Sequence, residues 1–474
     1  MIKKYLQGFF ILALLTTSAF AQQTMTLQQC IDYALKNNLQ IKQQEVNTKI
    51  AQASHLQSQA QLLPSINGSA GQNYNYGRNI DPVTNSFTTN RVVSQNFALS
   101  GNWNIFNGLQ NLNSIKQTKF DLQASQYDLD DLKNDISLSV VNAYLQVLFG
   151  LELLDNSQNQ YQLTEKQVLR LDKMLEVGAI AKSSLLDTKA QLANEELNVT
   201  TAKNNLDLAY LNLAQLMNFD SVAALKINKP TINDPNQAEL FAKQELIYQT
   251  ALASQPSIKS AQYRLKSSEK MVGIARGGLS PRLSLSASVS TIFSDATKLP
   301  TGNPEFLGYV PTGAVTGLGD VVYEPSYSFN FQEVPYNKQI KDNLNEAIGL
   351  RLTVPIFNNF QVKTSIDKAK LTNLNAKYSL ELAENQLQKE IQQAYTNAAA
   401  ALKKHDASKQ AVQAFQESFG YAEQKFNLGS ISSYDYNDAK TRLTKAQSDL
   451  LQAKYDYVLK LKVLDFYMGK PLVL

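Results

Sequence analysis

The 474-residue sequence holds one cysteine, one tryptophan and two histidines. The lone Cys30 excludes an internal disulfide. It lies inside a helical pattern rather than directly after a leader, so it gives no support to a lipid-anchored N-terminal cysteine, and a small buried thiol is expected. His55 and His405 both fall on polar helical stretches and are expected at the surface; without paired histidines or further cysteines no metal site is expected. No glycine-rich phosphate loop or nucleophile elbow occurs, and no carboxylate stands with a base at catalytic spacing. The sequence therefore predicts no catalytic residue, no cofactor and no resident metal, and energy for any work must come from a partner. An excess of one charge is lacking too: 45 Lys and Arg against 41 Asp and Glu give a net +4, which makes no case for nucleic acid.

Long apolar runs are scarce. Met1 to Ala21 has Lys3 and Lys4, an apolar run from Phe9 to Leu15, and then Ala19-Phe20-Ala21. That is the order of a secretory leader, with cleavage expected after Ala21, and the run is far shorter than the roughly 20 residues of a spanning helix. No later stretch is expected to be apolar enough for a membrane helix, so membrane insertion must come from strands.

Proline is absent between Pro82 and Pro230 and again between Pro355 and Pro471. Proline breaks helix interiors, so both intervals, dense in Ala, Leu, Gln, Lys, Asn and Asp, can hold uninterrupted helices. From Leu109 to Val177 the one glycine is Gly150, and apolar residues return every three or four positions through Leu129, Leu132, Ile136, Val140 and Tyr144, the helical period. Those residues would rise roughly 100 Å, far beyond a globular helix of about 8 to 20 residues. A coiled-coil-like assembly is implied.

The chain also repeats itself. Asn104-Ile105-Phe106-Asn107-Gly108 resembles Pro355-Ile356-Phe357-Asn358-Asn359; Phe106 and Phe357 stand 251 residues apart, as do Gly178 and Gly429 at the head of Gly178-Ala179-Ile180 and Gly429-Ser430-Ile431. One register over that span argues for duplication of a structural unit. Leu63-Pro64-Ser65-Ile66 pairs with Ser280-Pro281-Arg282-Leu283 at an offset of 217, so the second copy carries 34 additional residues, placed near Ser294 to Asn345. Rich in Gly, Pro and Tyr, that segment reads as a long loop. The expected layout is a leader over 1–21, a first repeat over 22–219, a connector over 220–238 and a second repeat over 239–474. Each repeat begins with a helix, about Leu27 to Leu62 and Glu239 to Arg276, the first N-capped by Thr26 with Gln29 in the capping-box position.

Each repeat then offers two stretches of period two, about 65–76 and 96–106 in the first and 281–291 and 346–357 in the second. Phe97, Leu99, Gly101, Trp103 and Ile105 alternate with Asn96, Ala98, Ser100, Asn102 and Asn104. Leu283, Leu285, Ala287 and Val289 alternate with serines, and Ile348, Leu350, Leu352, Val354 and Ile356 with Gly349, Arg351 and Thr353. About ten residues at roughly 3.3 Å each, tilted near 45°, cross the roughly 25 Å apolar band of an outer-membrane barrel. Four strands cannot close one, because the smallest single-chain barrels need about eight. Two copies give a filled interior and three give about twelve strands around a water-filled bore, so geometry favours a trimer if the chain conducts anything.

These repeats, the Trp103-Asn104-Ile105-Phe106-Asn107-Gly108 and Val354-Pro355-Ile356-Phe357-Asn358 segments, and the turn Gly429-Ser430-Ile431-Ser432-Ser433-Tyr434-Asp435-Tyr436-Asn437-Asp438-Ala439 resemble TolC-like outer-membrane efflux proteins over nearly all of the chain. The resemblance implies a mainly α fold with a membrane β-barrel: a homotrimer in the outer membrane sharing a twelve-stranded barrel and a periplasmic α-helical tube. It implies an exit duct of a tripartite efflux or type I secretion system, in contact with outer-membrane lipid and working with a periplasmic adaptor (membrane fusion protein) and an inner-membrane pump. The turns Gly178 to Ser184 and Gly429 to Asp435 would lie at the periplasmic tip, where Gly178, Ile180, Ser184, Gly429, Ile431 and Ser432 would meet the adaptor. Glycine suits these helix ends, and Ser183 and Ser432 are placed to cap the next helix in each case. Family members close the tip with acidic residues six and nine positions after the second glycine, here Asp435 and Asp438; in the first copy Asp187 stands nine on, while Ser184 departs from the acidic residue often found six on. Two such charges at about 6 Å repel by about 3 kcal/mol at an effective dielectric near 20, and carboxylates so crowded hold protons or divalent cations. The competing readings are a surface-exposed adhesive or structural coiled-coil protein, which needs no duplicated hairpins, and a periplasmic adaptor, which would carry compact β-rich domains around one helical hairpin.

Overall fold

The structure is a computed structural model that describes residues 24–80, 85, 87–89, 91–231 and 243–473. The expected leader over 1–21 and the expected connector beyond residue 231 lie outside the described residues. In chain order the elements are β1 (Thr24–Met25), α1 (Leu27–Asn37), α2 (Leu39–Ala60), β2 (Ser65–Asn75), β3 (Asn79–Ile80), β4 (Phe87–Thr88), β5 (Val92–Phe106), α3 (Gln110–Glu176) and α4 (Lys182–Met217). After these come β6 (Lys226–Ile227), α5 (Gln244–Ser254), α6 (Pro256–Gly277), β7 (Arg282–Ser294), β8 (Lys298–Val315), β9 (Val321–Glu333), α7 (Tyr336–Asp342), β10 (Asn345–Thr353), α8 (Gln361–Asn427) and α9 (Ser433–Tyr467). The chain folds as two compact units: one takes in residues up to Ala53, Lys119–Ser267 and residues from Asn373, the other Ser54–Thr118 and Ser268–Thr372.

The first unit is helical. α3 and α8 each run 67 residues without a break, and their first residues, Gln110 and Gln361, stand 251 apart. Gly150 survives inside α3 because α4 packs closely there: a Cβ would meet the Cα of Leu206 at 3.3 Å. The core gathers Leu27, Cys30, Ile31 and Ala34 of α1, Val140, Val141, Tyr144, Val147 and Leu148 of α3, Leu213 and Met217 of α4, and Tyr455 of α9. A second cluster packs Ile247 and Ile258 against Leu387, Ile391, Ala398 and Leu464. Tyr144 donates its hydroxyl to the Asn228 carbonyl at 2.6 Å, which closes the short parallel pair of β1 and β6 over the core. Cys30 is fully buried, and burial pushes its thiol up to about 12.

Three expectations change here. α3 contains an 18-residue window that is long and apolar enough to cross a membrane, by length and composition alone. Half of that window is buried, and its apolar residues supply this core. His405 is 2% exposed rather than at the surface, because it sits one helical turn beyond Ala401 and Leu402, which bury against Tyr457. The opening helix of each repeat is broken, at Asn38 and at Gln255, both extended with ψ near 130°. Asn38 ends α1 and starts α2: its side-chain oxygen accepts from the Gln40 and Ile41 amides while its amide donates to the Leu216 carbonyl. Gln255 precedes Pro256, whose ring drives it out of the helical region. The two breaks stand 217 residues apart, the offset of the upstream repeat. At the start of α1 the Thr26–Gln29 capping box is formed.

The second unit is built on a four-stranded antiparallel sheet in the order β10-β7-β5-β2. Directly opposed residues share a face, and the registers align Ile66, Gly101, Ala287 and Ile348, with Trp103, Leu285 and Leu350 in the next row. The opposite face carries rows such as Ser65, Asn102, Ser286 and Gly349. One face is therefore apolar and the other polar across all four strands. β10 stops at Thr353, short of the alternation expected to Ile356, because Pro355 removes a donor and constrains its predecessor. Among the described residues, β2 and β10 each have one unpaired edge.

The segment expected as a loop is a β-ribbon, β8 paired with β9 around a turn in which Thr316 donates to Asp320. From Tyr323 to Phe331 the alternation of Tyr323, Pro325, Tyr327, Phe329 and Phe331 with Glu324, Ser326, Ser328 and Asn330 supplies the strand signal; Gly and Pro in β8 mask it, and the pairing there shows register shifts. α7 fastens the ribbon base. Gln339, 3% exposed, donates to the Ser294 and Val334 carbonyls and accepts from the Ser294 amide.

Candidate functional site at the helical hairpin ends

Within the first unit, α3 turns into α4 and α8 into α9 by the same backbone device. Gly178 and Gly429 adopt left-handed φ values of +73° and +75°. Ala179 donates to Met174 and Gly178 to Leu175 in one turn; Ser430 donates to Lys425 and Gly429 to Phe426 in the other. These paired bonds satisfy the last carbonyls of each long helix, and glycine suits the position because it takes the left-handed conformation without the strain a side chain adds.

Beyond the glycines the two turns differ. Ser432 caps α9 through a capping box with Asp435: its hydroxyl accepts from the Asp435 amide at 3.1 Å, and the Asp435 carboxylate accepts from the Ser432 hydroxyl at 2.7 Å and amide at 3.3 Å. The expected cap Ser183 does not act as one. α4 starts a residue earlier, at Lys182, with Ala181 in the capping position and no side-chain bond. Ala181 stands 251 residues before Ser432, so the capping place is repeated and its chemistry is not.

Ile180, Ser184, Gly429, Ile431 and Ser432 line one groove of about 1050 Å³ between the hairpin ends. Gly178 lies in the turn beside it, with open space where a Cβ would stand. The three carboxylates are held separately within a single chain. Asp435 serves the cap, Asp438 pairs with Arg442 at 2.9 Å, and Asp187 accepts from the Ser433 hydroxyl at 3.1 Å, which ties the start of α9 to α4.

Sequence reasoning missed the buried part of this site. The Tyr436 ring stacks on Phe426 at 4.7 Å. Burial, with repulsion from Glu423 and Glu195 and opposed by Arg170, pushes its phenol up to about 12. One turn on, Lys440 sends its ammonium between α3 and α4, where it meets Glu195 at 3.1 Å with both side chains 6% exposed. Lys440 also donates to the Thr164 hydroxyl, which donates to Glu195. Burial holds the Lys440 ammonium below its ordinary value, and the Glu195 carboxylate opposes that shift. The repeat positions of this pair are Lys189 and Ala446. Lys189 makes instead an exposed pair with Asp172 at 3.8 Å.

The sequence pattern of outer membrane efflux proteins matches residues 30–218 and 247–470. The chain belongs to the outer membrane efflux protein family. Outer membrane protein TolC of Escherichia coli K12 is 22% identical over 458 residues, covering 95% of this chain and 83% of its own. Cation efflux system protein CusC of Escherichia coli O157:H7 is 24% identical over 293 residues, 59% of each chain. In fold, the chain is similar to the outer membrane protein VceC of Vibrio cholerae, with a TM-score of 0.73 at 18% identity, covering 94% of this chain and 96% of that one. As a member of this efflux family the protein is an outer-membrane channel of the TolC kind, mainly helical and built on the family's two matched segments. Proteins of this family are channels, and the adhesive reading is not favoured.

Proposed function

We propose that three copies of this chain form a passive exit duct of a tripartite efflux or type I secretion system, carrying substrates handed on by an inner-membrane pump and a periplasmic adaptor to the outside. The observation that carries this reading is the sheet of the second unit. Among the described residues it has one apolar face, one polar face and two unpaired edges. Ile348, Leu350 and Leu352 are 78%, 65% and 65% exposed on the edge strand β10, and burying each such side chain is worth about 1.5–3 kcal/mol. Lipid covers that face, and β10 of one copy meets β2 of the next, so three sheets close a twelve-stranded barrel with no free edge. The polar face then lines a water-filled bore, and the paired helices continue it as a tube across the periplasm. Each copy is read as two repeats, 22–219 and 239–474, joined by a connector over 220–238.

At the far end of the tube the groove with Ile180, Ser184, Ile431 and Ser432, bounded by Gly178 and Gly429, receives the adaptor. Asp187, Asp435 and Asp438 from three copies form the constriction, which attracts cations. The chain works without a cofactor and performs no catalysis. The test is the mass of the detergent-solubilised particle together with its conductance in a planar bilayer. A trimer that conducts is expected; a particle of one copy refutes the duct. If Asp435→Asn with Asp438→Asn leaves cation selectivity and divalent block unchanged, these carboxylates are not the constriction.

A further inference from the structure

The β8–β9 ribbon presents an apolar face that nothing among the described residues covers. Tyr323, Pro325, Tyr327, Phe329 and Phe331 alternate onto one side of β9. The register sets Pro311, Tyr309 and Phe306 directly opposite Tyr323, Pro325 and Tyr327, on that same face. The other face holds Glu324, Ser326, Ser328 and Asn330, with the smaller aliphatic Leu299, Val310 and Val322 among them and no aromatic ring. Phe306 lies edge-on to Tyr309 and Tyr327 at 5.3 and 5.7 Å, yet Tyr309, Phe331 and Tyr323 remain 69%, 62% and 57% exposed. A lone two-stranded ribbon is marginal in water, so this face needs an occupant.

We propose that the occupant is the same face of the ribbons on neighbouring copies, so that the ribbons pack together by their aromatic sides above the barrel. The inference rests on the trimeric reading. Three features single out this occupant. First, Pro300, Pro304, Pro311 and Pro325 interrupt the ribbon's donor rows, which blocks growth by strand addition and leaves the face as the means of contact. Second, residues 298–333 carry Glu305, Asp320, Glu324 and Glu333 against Lys298; a net acidic ribbon lacks the basic residues that hold a peptide to anionic lipid, whereas aromatic residues are enriched at protein interfaces. Third, the ribbon joins β7 to the edge strand β10, the strand that meets the next copy. Ribbons rooted on one ring are held at high effective concentration toward each other.

The experiment uses the full chain in a Cys30→Ala background, purified as the detergent particle, with Tyr327→Cys on the aromatic face and Ser328→Cys beside it on the polar face. A short bis-maleimide is expected to convert the Tyr327→Cys monomer band into cross-linked dimer on a denaturing gel and to leave Ser328→Cys as monomer. The mass of each particle is measured in parallel. A trimer whose Tyr327→Cys thiol does not cross-link and reacts freely with a water-soluble maleimide overturns the packed ribbons and spares the duct. A trimer whose thiol is shielded only after phospholipid vesicles are added overturns it as well, assigning the face to lipid. A monomeric particle from the background chain sinks the duct first, and this inference with it.

Discussion

Replacing Lys440 by Met tests the buried pair beneath the hairpin ends. Lys440 and Glu195 are each 6% exposed at 3.1 Å, so losing the ammonium leaves a carboxylate in the interior without its counter-charge. Breaking such a pair costs about 3–5 kcal/mol. Glu195 keeps hydrogen bonds from Thr164 and from the Gln191 amide, which places the expected loss near the lower figure, about 3 kcal/mol. Removing both charges reverses the outcome. Lys440→Met with Glu195→Leu leaves Thr164 bonded to the Gln160 carbonyl at 3.1 Å, and apolar replacement of a buried pair is often neutral or stabilising by about 1–4 kcal/mol. Lys189→Met at the repeat position removes only a half-exposed pair and should cost no more than about 1 kcal/mol. Denaturant unfolding of the detergent particle, followed by helical circular dichroism, measures the parent chain, these three variants and the single Glu195→Leu. The reasoning fails if Lys440→Met costs as little as Lys189→Met, or if the double substitution is as damaging as the two single ones added together.

The unequal caps predict that Ser432→Ala loses about 1 kcal/mol and that Ala181→Ser gains a comparable or smaller amount, read as amide hydrogen exchange in the first turns of α9 and α4; equal exchange in all variants counts against it. Gly429→Ala forces a side chain into φ +75° and should cost about 1–2 kcal/mol, seen as a lower midpoint in the same unfolding assay. Alkali should loosen the fold in a defined sense. Cys30 and Tyr436 are acids lifted from 9.0 and 10.0 to about 12, so between those values the folded chain holds protons that the unfolded chain has released, and stability falls as pH rises. Lys440, held below 10.5, acts in the opposite sense only up to that pH, so titrating the unfolding midpoint should show a net fall above it. On β10, Leu350→Arg is expected to cost about 2–4 kcal/mol by placing a charge on the face proposed to meet lipid and to abolish the proposed trimer on an unboiled gel, whereas Gly349→Arg on the polar face should alter conductance instead.

Local patterns were legible wherever one face sets the period. From Phe97 to Trp103 on β5 and from Leu283 to Val289 on β7 the residues alternate without interruption, and the register sets Leu99, Gly101 and Trp103 opposite Val289, Ala287 and Leu285, so period and pairing agree there. The ribbon was hidden because four prolines and several glycines in β8 and β9 read as loop chemistry while the alternation sits on β9 alone. The break at Gln255 was signalled by Pro256. That at Asn38 was not, since an asparagine that caps one helix and bonds across to the Leu216 carbonyl looks in sequence like any polar helix residue. His405 lies on a stretch whose neighbours Lys403 and Lys404 are exposed, and polarity there concealed its inward position. The turns were visible through their glycines. The Lys440–Glu195 pair was not, because its partners stand 245 residues apart and neither repeat equivalent forms the same contact.

That asymmetry has a structural logic. The backbone closure of each turn is fixed by a left-handed glycine and two hydrogen bonds, which a duplicated sequence reproduces without further demands on its side chains. The residues beyond each glycine are free to diverge, and they have diverged consistently toward firmer anchorage of α9. Ser432 caps where Ala181 cannot, Ser433 reaches across to Asp187, and Lys440 goes inward where Lys189 stays at the surface. In the proposed trimer the ends of the two hairpins alternate around the axis, six in all. Identical ends would respond alike to any partner; unequal ones let a partner engage α4, the less anchored helix, while α9 holds its place.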